Sequence, residues 1–60
     1  MTWEEIEVGD VVTITFYSGW KSRLGKVTEK QSDTRLILLE AKDDNGKLFT
    51  TRKFPDQLSP

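Results

Sequence analysis

The chain has 60 residues, nine basic and ten acidic, with a formal net charge of −1, and 35% of its residues are hydrophobic against 32% charged. This length allows one domain spanning residues 1–60, and this balance excludes both a disordered tail and a membrane segment. No apolar run approaches the roughly 18 residues that a spanning helix needs, and the acidic start is unlike a signal peptide, so we expect a cytoplasmic protein without membrane contact.

Cysteine and histidine are both absent from the sequence. The chain therefore has no disulfide, no thiolate metal site, and neither the commonest metal ligand nor the commonest general base. Its stability must come from an apolar core alone, which favours a sheet that closes on itself over an open sheet with long unpaired edges. We predict an all-β fold: a small SH3-like barrel of about five short antiparallel strands.

The predicted elements follow one another through short connections. Residues 2–5 carry a capping-box pattern with space for a single helical turn. Residues 54–58 predict a proline-initiated turn that brings Leu58 to one end of the barrel. Between them, β-branched and apolar runs predict strands at Val11–Tyr17, Trp20–Glu29, Arg35–Ala41 and Lys47–Lys53.

Turn residues add local detail to this scheme. Gly9-Asp10 predicts a turn into the first strand in which the Asp10 carboxylate caps backbone amides. Gly25 interrupts the second predicted strand and suits a bulge or a sharp bend. Asn45-Gly46 predicts a type I′ hairpin, because both central residues of that turn need a positive φ. The unbroken apolar run at residues 36–39 predicts a strand covered on both faces.

Residues 8–27 carry a set of glycine motifs in a characteristic order. Gly9-Asp10 precedes an alternating apolar strand, a Gly/Lys-rich turn follows, and the segment ends in glycine, one residue and valine: Gly9-Asp10, Gly19-Trp20-Lys21 and Gly25-Lys26-Val27. This third of the chain resembles the KOW-type SH3-like barrels of ribosomal and transcription proteins, departing from them at Ser22 and Leu24, where that family favours glycine and a polar residue. The resemblance implies the barrel. Small archaeal chromatin proteins, tudor-like modules and bacterial SH3-like domains share this size and pattern and have unrelated partners.

Charge is distributed unevenly along the chain. Residues 1–20 contain four acidic and no basic residues, whereas residues 21–35 contain five basic and two acidic ones. A face shared by the basic residues could neutralise several phosphates; the set proposed for it is Lys21, Arg23, Arg52 and Lys53. A mixed charged surface that only keeps the domain soluble explains the same residues.

Two aromatic residues, Tyr17 and Trp20, flank a Ser-Gly turn too short for both to enter the core. An exposed ring beside cations is the arrangement that binds single-stranded nucleic acid, where stacking contributes about 1 to 3 kcal/mol per base. The same rings could form a groove for an extended peptide, or Trp20 could fold over the barrel mouth. Phe16, Phe49 and Phe54 are expected to lie in the core or partly in it, with only one of Leu48 and Phe49 pointing fully inward.

We predict a nucleic-acid-binding module that favours RNA or single strands over duplex DNA. Its predicted site comprises Tyr17, Trp20, Lys21, Arg23, Lys26, Arg52 and Lys53. The alternative is a protein-protein interaction module, or a homodimerising adaptor, that uses the aromatic patch or an open strand edge.

No motif in the sequence indicates catalysis. Adjacent carboxylates occur only where helix-turn and hairpin preferences explain them, and no glycine-rich phosphate loop is present. The acidic turn before Gly46 lacks the oxygen ligand that a calcium loop needs at its twelfth position, because Phe54 stands there. We therefore expect that the protein is not an enzyme. We also expect no metal site, no cofactor and no small-molecule substrate.

Overall fold

The computed structural model describes residues 1–15 and 22–60 and shows an all-β protein. Its strands are β1 (Val11–Ile14), β2 (Arg23–Gln31), β3 (Leu36–Lys42), β4 (Leu48–Lys53) and β5 (Leu58–Ser59), with 3₁₀ turns at Trp3–Glu5 and Pro55–Gln57. All strand pairs are antiparallel and form one sheet in the order β4-β3-β2-β1-β5. The prediction of five antiparallel strands is confirmed. None of the described segments forms a helix long and apolar enough to cross a membrane.

The chain enters β1 through a turn built on Gly9 and Asp10. The Asp10 N–H donates to the Glu7 carbonyl at 3.0 Å, and Asp10 Oδ2 accepts from the Glu7 N–H at 3.0 Å. Gly9 adopts a φ of 98°, a conformation that glycine reaches without steric cost. Asp10 therefore caps a backbone amide as predicted. The predicted strand Val11–Tyr17 is confirmed over β1, and its last two residues lie outside the described part of the chain.

β2 joins the two halves of the sheet, because it pairs with β1 on one side and β3 on the other. Gly25 lies opposite Val12 in β1 and opposite Ala41 in β3. A Cβ atom at Gly25 would lie 2.7 Å from Ile14 Cδ1 and 3.3 Å from Leu39 Cδ2. Glycine is thus needed for close packing at this position.

The bulge predicted at Gly25 lies elsewhere in the same strand. The register with β3 is regular through Gly25 and shifts between Val27 and Glu29, so the additional residue is Thr28. A bulge bends a strand and increases its twist. β2 therefore curls at Thr28, three residues after the close contact at Gly25.

The turn between β2 and β3 begins later than the sequence indicated. Arg35, expected as the first residue of the strand, lies in the turn, where its N–H donates to the Gln31 carbonyl at 2.8 Å. Its φ of 63° is left-handed, a conformation that glycine and asparagine adopt far more readily than arginine. The prediction of a strand at Arg35 is wrong by this one residue, because the loop closes through the arginine backbone.

The hairpin between β3 and β4 is confirmed, but its turn type is not I′. Gly46 has a φ of 79°, while Asn45 keeps a negative φ, so only one of the two positive angles is present. The Gly46 N–H donates to the Asp43 carbonyl at 3.0 Å, and Asp43 Oδ1 accepts from the N–H groups of Asn45 and Lys47 at 2.9 Å each. The Asp43 side chain thus favours a three-residue loop ending in left-handed glycine.

Both short 3₁₀ turns bring a chain end to the sheet. At the first, the Thr2 N–H donates to Glu5 Oε1 at 2.7 Å, which is half of the predicted capping box. The second leads into β5, where Leu58 pairs with Ile14 and is buried in the core. The amino nitrogen of Met1 links the two, donating to the Leu58 carbonyl at 2.7 Å.

The core collects one or more residues from every strand except β4, whose Phe49 packs against it half-buried. Two predictions about it are wrong. Phe54 is 50% exposed, because the turn that follows begins at Pro55 and places it outside the strand. In the run at residues 36–39, only the odd-numbered side chains are fully buried. The even-numbered ones lie on the opposite face and are half-buried, so the run is covered on one face only. The buried apolar side chains are Ile6, Val12, Ile14, Val27, Ile37, Leu39, Ala41 and Leu58.

Replacing Gly25 by alanine is expected to destabilise the fold by about 1 to 3 kcal/mol, because the new methyl group overlaps Ile14 Cδ1. Ile14→Val removes that atom, so Gly25→Ala should cost less in the Ile14→Val background than in the parent. Urea unfolding of the four proteins of this cycle measures the coupling. Equal costs in both backgrounds would show that the contact does not constrain the strand.

The carboxylate of Glu5 is predicted to make folding pH-dependent. The hydrogen bond from the Thr2 backbone N–H lowers the pKa of Glu5 below its ordinary value of 4.5. The contribution of this hydrogen bond to the stability of the fold should be complete above pH 4.5. It should be lost as the pH falls through the lower, folded-state pKa of Glu5. Thermal melts of Glu5→Gln and the parent should differ most near neutral pH and converge in acid. Glu4→Gln controls for the loss of one exposed negative charge, and a difference that grew in acid would contradict the assignment.

Candidate functional site

The seven residues predicted to bind nucleic acid are not brought together by the described structure. Tyr17, Trp20 and Lys21 lie outside the described residues, so nothing places them relative to the others. The remaining four are Arg23 and Lys26 in β2 and Arg52 and Lys53 in β4. Strand alternation sends the members of each pair to opposite faces of the sheet.

Arg23 lies on the core side of β2 and is engaged within the protein. Its Nη1 donates to the Lys42 carbonyl at 2.6 Å, and its Nη2 lies 3.3 Å from Asp44 Oδ1. The guanidinium carbon is 5.8 Å from the centre of the Phe49 ring. Arg23 therefore ties the end of β3 and the following hairpin to β2, and its guanidinium is committed to contacts that a phosphate would have to displace.

The other three basic residues divide between the faces in the same way. Lys26 is exposed and alternates with buried neighbours in β2, which places it on the outer face. Arg52 is exposed opposite Leu38, whereas Lys53 is half-buried opposite the fully buried Ile37. Lys26 and Arg52 thus share the outer face, and Arg23 and Lys53 lie on the core side.

The outer face carries an apolar groove that the sequence analysis did not anticipate. Val11, Leu24 and Leu48 come from three different strands and are 60%, 65% and 56% exposed. All three line one depression of about 450 Å³ on the face opposite the core. Large aliphatic side chains that gather at the surface in this way are typical of a binding site.

Basic side chains surround the apolar residues of this groove. Lys26 and Lys42 line it together with Glu40, and Arg23 reaches its rim. Register places Lys26 directly opposite Glu40, yet neither groove lysine lies within ion-pair distance of a carboxylate among residues 1–15 and 22–60. The groove is therefore more positive than the chain as a whole, whose net charge is −1.

One signal in the sequence pointed toward this groove. Leu24 departs from the pattern of the family that residues 8–27 were expected to resemble, and it is the most exposed of the large hydrophobic side chains in the described structure. Val11 and Leu48 gave no such signal, because a strand residue faces outward or inward according to register, which hydrophobicity alone does not fix.

A second cluster lies at the other end of the sheet, around Trp3. Lys30 Nζ lies 4.4 Å from the centre of a Trp3 ring and donates to the Trp3 carbonyl at 2.7 Å. The Arg35 guanidinium carbon lies 5.1 Å from a Trp3 ring centre. Trp3 itself is half-buried and packs against the core. No group of three or more carboxylates placed to hold a metal occurs in the described part of the chain.

Comparison of the chain with protein-family models, with curated proteins and with solved structures finds no match.

Arg23→Ala is predicted to destabilise the fold by about 1 to 2 kcal/mol, because it leaves the Lys42 carbonyl without its charged donor and uncovers Phe49. Lys26→Ala, in the same strand but exposed on the outer face, should change stability by less than about 0.5 kcal/mol. Chemical denaturation of both variants makes the comparison. Equal effects would refute a structural role for Arg23.

Proposed function

We propose that the five-stranded sheet closes into an SH3-like barrel whose outer face binds an extended segment of another protein. Three features support closure. The last strand lies beside the first, a 3₁₀ turn leads into it, and β2 contributes to both halves of the sheet with a bulge along its length. A curled sheet of this kind encloses a small core and leaves its convex face to solvent.

The binding role is carried by the exposure of Val11, Leu24 and Leu48 in one groove. Burying a side chain of this size completely contributes about 1.5 to 3 kcal/mol, and more than half of that gain is still unrealised at each position. A 60-residue domain has few apolar residues to place in its core. Three large ones held at the surface are therefore best explained by a partner that covers them.

The charges of the groove indicate the chemistry of that partner. Two lysines without ion pairs stand beside the apolar residues, and a single carboxylate opposes them. An extended segment with aliphatic side chains and a carboxylate within reach of Lys26 or Lys42 would satisfy both features. Because the groove crosses four strands, it suits several consecutive side chains better than a single small molecule.

Nucleic acid is a second candidate, supported by the basic residues of the same face. Lys26, Lys42 and Arg52 are all exposed on the outer side of the sheet. Three cations could contact successive phosphates of a strand. The groove between them is lined by aliphatic rather than aromatic side chains in the described residues, and stacking on rings is the usual source of affinity for single strands. The peptide proposal is therefore favoured.

A peptide library displayed on phage tests the proposal directly, with the folded domain as bait. Selected peptides are expected to combine aliphatic with acidic residues. Leu24→Ser should abolish their enrichment, whereas Val8→Ser, which changes an aliphatic residue that is 62% exposed outside the groove, should retain it. Lys42→Glu should remove the preference for acidic residues, and Lys47→Glu, a charge reversal outside the groove lining, should not.

The remaining outcomes decide between the candidates. Enrichment that survives Leu24→Ser, or no enrichment at all, would contradict the peptide proposal. In parallel, the parent is titrated with single-stranded RNA and DNA oligonucleotides at several salt concentrations. Binding that weakens steeply with salt and is lost in Lys26→Gln with Lys42→Gln would favour nucleic acid instead.

A further inference from the structure

Two cationic side chains approach Trp3 from different elements. Lys30 comes from the end of β2 and Arg35 from the turn before β3, and both lie within about 5 Å of the indole. Register places Lys30 opposite Ile37, which in turn lies opposite Lys53. The end of the sheet that Trp3 covers is therefore lined by basic residues.

Neither cation at Trp3 is neutralised within the described chain. Lys30 and Arg35 form no ion pair there, although Glu29 and Asp33 are close to them in sequence. Lys30 uses one of its three donors on the Trp3 carbonyl, and residues 1–15 and 22–60 offer no hydrogen-bond acceptor to the Arg35 guanidinium. Two like charges held at one ring repel each other, so an anion placed between them would relieve a cost already present.

Arginine is an unusual residue for the backbone conformation at position 35. Its φ of 63° would suit glycine or asparagine, and arginine adopts it only at a steric cost. The turn itself is closed by the main chain, through the Arg35 N–H and the Gln31 carbonyl, and needs no arginine side chain. The guanidinium, rather than the backbone, thus accounts for arginine here.

We propose that Lys30 and Arg35 form a binding site for a phosphate group beside Trp3. A guanidinium presents paired N–H donors that match two oxygens of a phosphate, and an ammonium adds a compact positive charge with free donors. The Trp3 ring holds both cations in place through cation-π contacts, which reduces the ordering cost of binding. This site lies apart from the outer-face groove, whose lining includes none of the three residues.

The test is an NMR titration of the full chain with inorganic phosphate, following the indole N–H of Trp3 and the Nε–Hε group of Arg35. Chloride and acetate at equal ionic strength separate phosphate recognition from charge screening. Arg35→Gly and Lys30→Gln should each weaken binding roughly tenfold. Lys47→Gln removes one positive charge from the β3–β4 turn and should bind as the parent does.

The Arg35→Gly variant is expected to stay folded, because glycine suits the left-handed backbone of this turn. Its thermal midpoint is expected within about 8 °C of the parent, so lost binding would reflect the missing guanidinium. Repeating the titration with uridine monophosphate and with O-phosphoserine shows whether the phosphate of a nucleotide or of a modified side chain is preferred. Equal responses to phosphate, acetate and chloride, or unchanged binding by Arg35→Gly, would overturn the proposal and leave the cations as a cover for Trp3.

Discussion

Ile14 and Leu39 pack closely against Gly25, which has no side chain. The other parts of the structure depend on this contact. β2 holds β1 on one side and β3 on the other, so a side chain at Gly25 would push apart the residues that both neighbours contribute to the core. Ile14 also pairs with Leu58, which attaches β5. One missing methyl group thus allows the sheet to pack around a core that has eight buried side chains, none of them polar, among the described residues.

Long basic side chains complete what this small core cannot cover. Arg23 lies over Phe49 and donates to the Lys42 carbonyl at one end, and Lys30 lies over Trp3 and donates to its carbonyl at the other. In each case the charged group lies over a ring and also satisfies a main-chain oxygen. Arg23, which the sequence presents as part of a phosphate-binding surface, therefore closes one end of the sheet.

Features set by local chemistry were predictable from the sequence. The Asp10 cap, the hairpin at Gly46 and the burial of Leu58 each follow from the residue concerned. Features set by pairing were not. The bulge at Thr28 and the outward direction of Leu24 and Leu48 depend on the register between strands, and one residue of shift reverses every face. Strand alternation alone directs Arg23 and Lys26, three residues apart in β2, to opposite faces of the sheet.

Marginal stability links the two proposed sites to the fold that carries them. A 60-residue domain is stabilised by about 3 to 9 kcal/mol, whereas a ligand at one hundred times its dissociation constant adds about 2.7 kcal/mol. The free energy gained by occupying either site would thus be a substantial fraction of the total stability of the domain. The outer groove spans β1, β2, β3 and β4, and the Trp3 cluster joins the first 3₁₀ turn to the turn after β2. A partner in the groove would hold together strands that the short β1 secures weakly. An anion at Trp3 would stabilise the start of the chain. Each ligand would therefore reinforce a different weak point of the same sheet.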